Sequence, residues 1–332
     1  MIIKPDELAA ILEKILLSHG FKKSDAKTCV NIFVENTLVG VSSHGINRFP
    51  DFIHTIQSGH IKPAAKPVRI NKYNALEQWD GQLGPGPVNA SLMTEKTMEL
   101  AKQYGIGCIS LKNTNHWMRP GFYAWEAVKK GYIFICWTNT IPIMPPWGAK
   151  TPALGNNPIV FGVPRKEGHI VLDMALSQYS YGKLGTYALD EKDLPYTGGY
   201  NREGKLTTNA KEIYKSQRPL PIGLWKGSGL ALLLDLIVSV LSGGKSTFDL
   251  SKVDVDSGVS QMFIAIEPYR FSSREIVAGT VNEILDYYLN AEKDGTNELS
   301  YPGERIVKNK MESLKNGIFI HEKIWQKILD LM

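Results

Sequence analysis

Short runs of β-branched and aromatic residues, separated by helical stretches, constrain the fold of this chain more than any other feature. The runs cover residues 107–113, 132–139, 158–164, 169–177 and 262–268. Their length and content are typical of strands. Residues 86–105, 120–130 and 226–241 carry apolar side chains at helical spacing and predict helices. The chain therefore predicts a mixed α/β fold built on a large mixed β-sheet.

The two ends of the chain are predicted to be helical. With 332 residues, the chain is long enough for two domains or one large α/β unit. We expect a helical segment over residues 1–75, a mixed-sheet domain over 76–271 and a second helical segment over 272–332. Residues 179–221 are rich in Gly, Tyr, Lys and Thr without periodicity, so they predict a long connection.

Charge and cysteine content exclude several classes of protein. The net charge of +5 comes from scattered basic residues, which is a mild bias towards anionic ligands and not a nucleic-acid-binding pattern. The three cysteines are far apart, so a disulfide framework is not expected and a reducing cytoplasm is. The N-terminus has an amphipathic pattern instead of that of a signal peptide. The apolar run 229–244 contains Asp235, so we expect a buried helix and no membrane partner.

The stretch GVSSHGINRFP, residues 40–50, concentrates groups that suit an anion and a proton transfer. A helix beginning at Ser43 would place His44 in its first turn and Arg48 on the same face. Free N–H groups at a helix start favour an anion, and a guanidinium can pair with a carboxylate. A histidine beside that anion can exchange a proton near neutral pH. The alternative is a capped surface helix without function.

Two other histidine arrangements are weaker. Ser43 and His44 are adjacent, and we expect their side chains to diverge, which disfavours a nucleophilic Ser–His pair. His116 lies in NTNHWMRPG, between a predicted strand and a predicted helix, where α/β proteins often place catalytic residues. A turn with a structural histidine explains the same pattern equally well.

The sequence lacks the familiar nucleotide and metal motifs. No G-x-G-x-x-G follows a strand, and no phosphate-binding loop of the Walker type occurs. Gly227 and Gly229 open a helix and predict either a phosphate contact or a tightly packed helix entry. The seven histidines have no metal-ligand spacing, so no metal is expected. Asp173, within an apolar strand, predicts a hydrogen-bond acceptor.

Taken together, several stretches resemble the type-2 malate/L-lactate dehydrogenase family along essentially the whole chain. They are SHGINRFP, NHW, GNNP, WKGSGLALLLDLIVSVLSGG, SQMFIAIEP and PGER. Within that family, NHWMRPG and CWTNTIPIMPPWGAK are most similar to the 2,3-diketo-L-gulonate reductases. The family often has Gly-Thr-Asn-Pro where this chain has GNNP at 155–158, so an amide replaces a hydroxyl near the expected site.

The resemblance implies an oxidoreductase that interconverts 2-oxo and 2-hydroxy acids with NADH or NADPH, works as a homodimer and has a nicotinamide-binding fold distinct from Rossmann. The middle domain, 76–271, would hold the cofactor. The proton donor falls on His44, and Arg48 and His116 would line the substrate side. Cofactor contacts fall on His169, Ile170, Val171, Leu172, Asp173, Met174, Ala175, Trp225, Lys226, Gly303, Glu304 and Arg305.

The expected activity is reduction of 2,3-diketo-L-gulonate to 3-keto-L-gulonate, with hydride delivered to C2. The bulk and polarity of Trp117, Met118, Arg119 and Trp147 favour a polyhydroxylated chain over lactate. The alternatives are a reductase of malate-, lactate-, ureidoglycolate- or imino-acid-type substrates, or a redox-silent sugar-acid isomerase or binding protein.

Overall fold

The computed structural model describes residues 1–166, 168–253, 255–295 and 298–332. The helices are α1 Pro5–Ser18, α2 Lys23–Leu38, α3 Phe49–Gln57, α4 Gly86–Tyr104, α5 Gly121–Lys129, α6 Tyr181–Leu189, α7 Ala210–Ser216, α8 Trp225–Ser242, α9 Thr247–Leu250, α10 Arg274–Leu289, α11 Glu304–Asn316 and α12 Glu322–Leu329. The strands are β1 Ile2–Ile3, β2 Val68–Tyr73, β3 Leu76–Asp80, β4 Ile106–Asn115, β5 Ile133–Thr138, β6 Ile159–Val163, β7 Ile170–Met174, β8 Gly199–Tyr200, β9 Leu206–Thr207, β10 Ser257–Ile266 and β11 Ile318–Phe319.

A seven-stranded mixed sheet forms the centre of the molecule, in the order β2-β3-β4-β10-β5-β6-β7. Only the β3–β4 pair is parallel, and the other neighbours are antiparallel. The predicted mixed α/β fold is therefore confirmed, and the five predicted strands correspond to β4, β5, β6, β7 and β10. The sequence patterns did not reveal the β2–β3 hairpin, whose first strand is exposed throughout.

Helices cover both faces of this sheet. On one face, α4 and α5 join α1, α2 and α3 in a continuous apolar core. On the other face, α8 buries Ala231, Leu234 and Val238 against Trp137 and Met262. Helices α1 to α5 therefore form a helical bundle on one face of the sheet.

The two ends of the chain meet. Ile2 and Ile3 of β1 pair with Phe319 and Ile318 of β11. Lys310 of α11 forms a 2.7 Å ion pair with Glu35 of α2. The β2–β3 hairpin spans the boundary proposed at residues 75 and 76, so β2 belongs to the sheet although it lies within the proposed helical segment.

Residues 179–221 are more ordered than the predicted long connection. They form α6, the small β8–β9 pair and α7. Tyr179, Leu184, Leu194, Ala210 and Ile213 make a separate small core under them. The sequence predicted a long connection and did not reveal these elements, because their core is assembled from isolated apolar residues that follow no single period.

The apolar helix α8 is mostly exposed, so the prediction of a buried helix was wrong. Its buried residues are few, and Leu233, Leu236 and Val240 are 53%, 50% and 77% exposed. By length and composition, with a mean hydropathy of 1.4, α8 also matches a membrane-spanning helix. However, Asp235 in its middle accepts hydrogen bonds from the Asn139 side chain and the Thr247 N–H, which ties the helix to the sheet domain.

Candidate active site

A cavity of about 800 Å³ lies where the helical bundle meets the sheet. Such a volume is in the usual range for small-molecule and cofactor sites. The predicted site residues His44, Arg48, His116, Val171, Leu172, Asp173, Ala175, Gly303 and Arg305 line it. Chain segments far apart in sequence therefore converge on one cavity.

The segment that carries His44 is not the helix that the sequence predicted. Residues Ser42–His44 and Ile46–Arg48 form two short 3₁₀ turns, and α3 begins only at Phe49. No serine side chain caps them. Gly45 lies between the two turns. A larger residue does not fit there, because its Cβ would lie 2.8 Å from the Thr37 backbone nitrogen. Since α2 packs so closely, the chain turns sharply and aims both His44 and Arg48 into the cavity.

The side chains of Ser43 and His116 contact the His44 ring. Ser43 Oγ lies 3.1 Å from His44 Nδ1, so the expectation that these side chains diverge was wrong. The His116 ring stacks on His44 with centroids 5.7 Å apart and planes inclined by 22°. The hydrogen bond with Ser43 leaves Nε2 of His44 as the ring nitrogen that can face a substrate.

The surroundings of His44 favour its neutral form. Burial lowers its pKa, the charge of Asp173 opposes this, and Arg48 and Arg119 lower the pKa further. An anion bound beside the two arginines offsets their charge and raises the pKa of His44. We therefore expect binding of an acid to favour protonation of the histidine.

His116 is held in one tautomer. Its Nδ1 accepts the backbone N–H of Met118 at 3.1 Å, so Nε2 carries the proton of the neutral ring. Burial, and then the Arg48 and His44 charges, lower its pKa well below the usual range. His116 is therefore a neutral hydrogen-bond donor at physiological pH, whereas His44 is the histidine that can change its charge.

A buried ion pair supports this part of the cavity. Arg119 Nε lies 3.2 Å from Asp173 Oδ2, and both side chains are largely buried. The same oxygen accepts the Gly121 N–H at 2.9 Å, as predicted for a strand-borne acceptor. The pair joins the start of α5 to β7, because Gly121 begins that helix and Asp173 lies in that strand.

A further part of the cavity lining comes from β7 and the start of α11. The Val171 N–H donates to the Pro302 carbonyl at 2.9 Å, which fixes the two segments together. Gly303 has a φ of +103°, and a Cβ there would come within 3.2 Å of the Val171 nitrogen. A glycine is required because the backbones approach so closely. No side chain caps α11, and Arg305 faces the cavity.

Six predicted cofactor residues do not line this cavity: His169, Ile170, Met174, Trp225, Lys226 and Glu304. Three of them flank residues that do. Trp225 and Lys226 instead begin α8, and Trp225 is 67% exposed. Gly227 packs against Ile222, whose nitrogen would be 2.9 Å from a Cβ, which favours the tightly packed helix entry over a phosphate contact.

The sequence did not single out several residues that line the cavity. Asp256 and Tyr181 have no motif around them, and only the resemblance drew attention to the stretches that contain Thr140 and Asn156. Asp256 accepts the Ile141 N–H at 2.9 Å, and Tyr181 donates to the Ile143 carbonyl. Isolated polar residues of this kind become visible only when the fold brings them to one place. Within the described ranges, no three potential metal ligands converge.

Comparisons with known proteins agree with this geometry. A family model described as malate/L-lactate dehydrogenase matches residues 3–329. A 2,3-diketo-L-gulonate reductase of Escherichia coli strain 536 is 41% identical over 97% of this chain and 98% of its own length. The sulfolactate dehydrogenase of Methanocaldococcus jannaschii superposes with a TM-score of 0.92 at 30% identity, over 100% of this chain and 96% of that one.

The chain belongs to the malate/L-lactate dehydrogenase family. It is therefore an oxidoreductase, as the resemblance implied. A malate dehydrogenase of Pyrococcus horikoshii shares the same architecture, with a TM-score of 0.90 at 27% identity over 100% of this chain and 94% of that one.

Membership of this family implies a nicotinamide cofactor, and the wall formed by β7 and α11 fits one. The glycine at 303 lets α11 begin directly against β7, and the N-terminus of α11, which no side chain caps, has a dipole that favours a phosphate. Arg305 adds a positive charge. These residues would hold the dinucleotide without any Rossmann glycine motif.

Proposed function

We propose that this enzyme reduces 2,3-diketo-L-gulonate to 3-keto-L-gulonate, with NADH as the reductant and NADPH as the alternative. The observation that carries the proposal is the convergence of His44, His116 and Arg48 with residues of β7 and of the start of α11 on one cavity. The relatives at 41% identity over nearly the whole chain support the choice of substrate.

In this proposal each side chain has a defined task. Residues of β7 and α11 would hold the reduced nicotinamide cofactor, which would supply hydride to C2 of the 2-oxo acid. Arg48 binds the substrate carboxylate and orients the carbonyl. His44, protonated through the charge of that carboxylate, gives its proton to the C2 oxygen, a step typically worth about 10²–10⁴-fold. His116 donates a hydrogen bond from Nε2 and keeps the oxygen in place.

We further propose that the enzyme is a homodimer formed through α8. The exposed face of this helix carries Leu232, Leu233, Leu236 and Val240, a contiguous apolar patch of the kind that marks interaction sites. The α8 helix of a second subunit would cover this apolar patch. The resemblance implies that Trp225 and Lys226 contact the cofactor, but both lie outside this subunit's cavity. In such a dimer they would reach the cofactor of the neighbouring subunit.

Leu233→Glu tests the dimer. The charge would be buried in the interface, so we expect sedimentation at the monomer mass and weaker NADH binding. Leu189→Glu is the matched control, since Leu189 is 86% exposed on α6 and away from α8. A dimer that persists in the Leu233→Glu variant would show that another surface holds the subunits together.

The cysteines are consistent with a proposed cytoplasmic location. Cys29, Cys108 and Cys136 are all free, and Cys29 and Cys136 are buried. A reducing compartment keeps such thiols unpaired.

The activity is tested by following NADH absorbance with 2,3-diketo-L-gulonate, oxaloacetate and pyruvate in parallel. We expect fast oxidation with the sugar acid, and loss of turnover but not of NADH binding in His44→Ala. His54→Ala is the matched control, because His54 is exposed on α3. Oxidation with oxaloacetate or pyruvate alone would keep the family and overturn the substrate. No response to NADH would favour the redox-silent alternative.

A further inference from the structure

One end of the cavity carries polar groups that the proposed proton transfer does not use. We call it the polar end and define it by Asp256, Thr140 and Asn156, which all line the cavity. The three residues belong to different chain segments. Their chemistry, a carboxylate, a hydroxyl and an amide, suits the hydroxyl groups of a substrate.

Asp256 presents one free carboxylate oxygen. Its Oδ1 accepts the Ile141 N–H at 2.9 Å, which fixes the side chain. Within the described ranges no hydrogen bond or ion pair to Oδ2 occurs, and Oδ2 is not among the fully buried atoms that lack a partner. The carboxylate therefore faces the cavity with unused acceptor capacity.

The side chains of Thr140 and Asn156 are in contact at the polar end. The Thr140 hydroxyl lies 3.3 Å from Asn156 Oδ1, and Thr140 precedes the residue that holds Asp256. With Oδ1 oriented towards Thr140, the Asn156 Nδ2 is an available donor. The polar end thus offers a hydrogen-bond acceptor, the Asp256 carboxylate, and a donor, the Asn156 amide.

The polar end lies next to the reacting groups. Ser257 is the register partner of Asn115, so the preceding residue, Asp256, lies beside His116 at the ends of β10 and β4. His116 in turn stacks on His44. A substrate with its carbonyl at His44 can therefore place hydroxyl groups of its remaining carbons within reach of Asp256.

We propose that Asp256, with Asn156, determines substrate specificity by binding hydroxyl groups beyond C2 and rejecting a second carboxylate. The inference rests on the proposed reduction of a 2-oxo acid and specifies its substrate class: a polyhydroxylated monoacid. A carboxylate accepts strong hydrogen bonds from hydroxyls. It repels a second carboxylate, since like charges at close quarters are costly. Burial raises the pKa of Asp256, while the Ile141 hydrogen bond and the Arg48 charge oppose that rise.

The first test is Asp256→Asn, which keeps an acceptor for the Ile141 N–H. We expect kcat/KM for the polyhydroxylated substrate to fall several-fold, because the bond becomes neutral. For oxaloacetate we expect a rise of about tenfold, because the repulsion is removed. Asp330→Asn, at an exposed position, is the control. A ratio of the two kcat/KM values that changes less than about threefold would overturn the proposal.

A second test needs neither a variant nor the substrate. Three unreactive six-carbon acids, gluconate, hexanoate and adipate, compete for binding to the wild-type enzyme with NADH present. The proposal expects gluconate to bind most tightly and adipate most weakly. Adipate binding as tightly as gluconate would overturn it. If that order holds but diketogulonate is not reduced, the proposed function is wrong and the specificity assignment stands.

Discussion

Removing the charge of Asp173 is expected to change both stability and the pH dependence of reduction. In Asp173→Asn the asparagine oxygen can still accept from the Gly121 N–H and from Arg119 Nε, but Arg119 loses the negative charge that lies 3.2 Å away. The Arg119 side chain is only 7% exposed, so its charge is left largely unpaired inside the protein. Breaking a buried pair from one side costs roughly 3–5 kcal/mol. Asp173 is 18% exposed, so we expect about 3 kcal/mol, at the low end of that range.

The same change acts on His44. The charge of Asp173 raises the pKa of His44, whereas burial and the two arginines lower it. Without that charge the pKa falls further. In the proposed mechanism reduction requires protonated His44, so the loss of kcat/KM with rising pH should begin at a lower pH in the variant.

Two measurements check this reasoning: denaturant unfolding and the pH profile of kcat/KM for reduction. The double variant Asp173→Asn, Arg119→Met should be less destabilised than the sum of the single changes, because it removes the unpaired charge. Asp286→Asn, at an exposed position of α10, is the matched control. An unfolding free energy and a pH profile both unchanged in Asp173→Asn would refute the reasoning.

Three further predictions follow from contacts around the site. Ser43→Ala removes the 3.1 Å contact with His44 Nδ1, so kcat should fall about tenfold or less with NADH binding unchanged, as steady-state kinetics and NADH titration will show. Gly45→Ala should lower the melting temperature and the activity together, because the new Cβ would lie 2.8 Å from the Thr37 nitrogen, which calorimetry and the NADH assay can test. Thiol titration at mild alkaline pH should find the folded protein unreactive, since burial raises the pKa of Cys108 to about 11 and that of Cys29 and Cys136 further, and should find three thiols after unfolding.

Local patterns were sufficient for most strands and several helices. The runs that became β4, β5 and β10 have side chains that pack on both faces of a central sheet, so their apolar content is high. The exposed strand β2 has no such content, and its pairing with β3 could not be read from composition. The apolar run of α8 predicted a helix correctly, but a single chain does not show whether its own core or another subunit covers the outer face.

The sequence alone determined which side chains are able to do the chemistry: a histidine and an arginine four positions apart, a second histidine after a strand and an aspartate within one. Tertiary structure decided how they meet. Close packing of Gly45 on α2 replaced the expected helix by two tight turns, and these turns direct His44 and Arg48 into the cavity. The pairing of β10 with β4 brought Asp256 beside His116, although 140 residues separate them. Sequence patterns report local periodicity, whereas a cavity is formed by segments whose proximity depends on the packing of the whole chain.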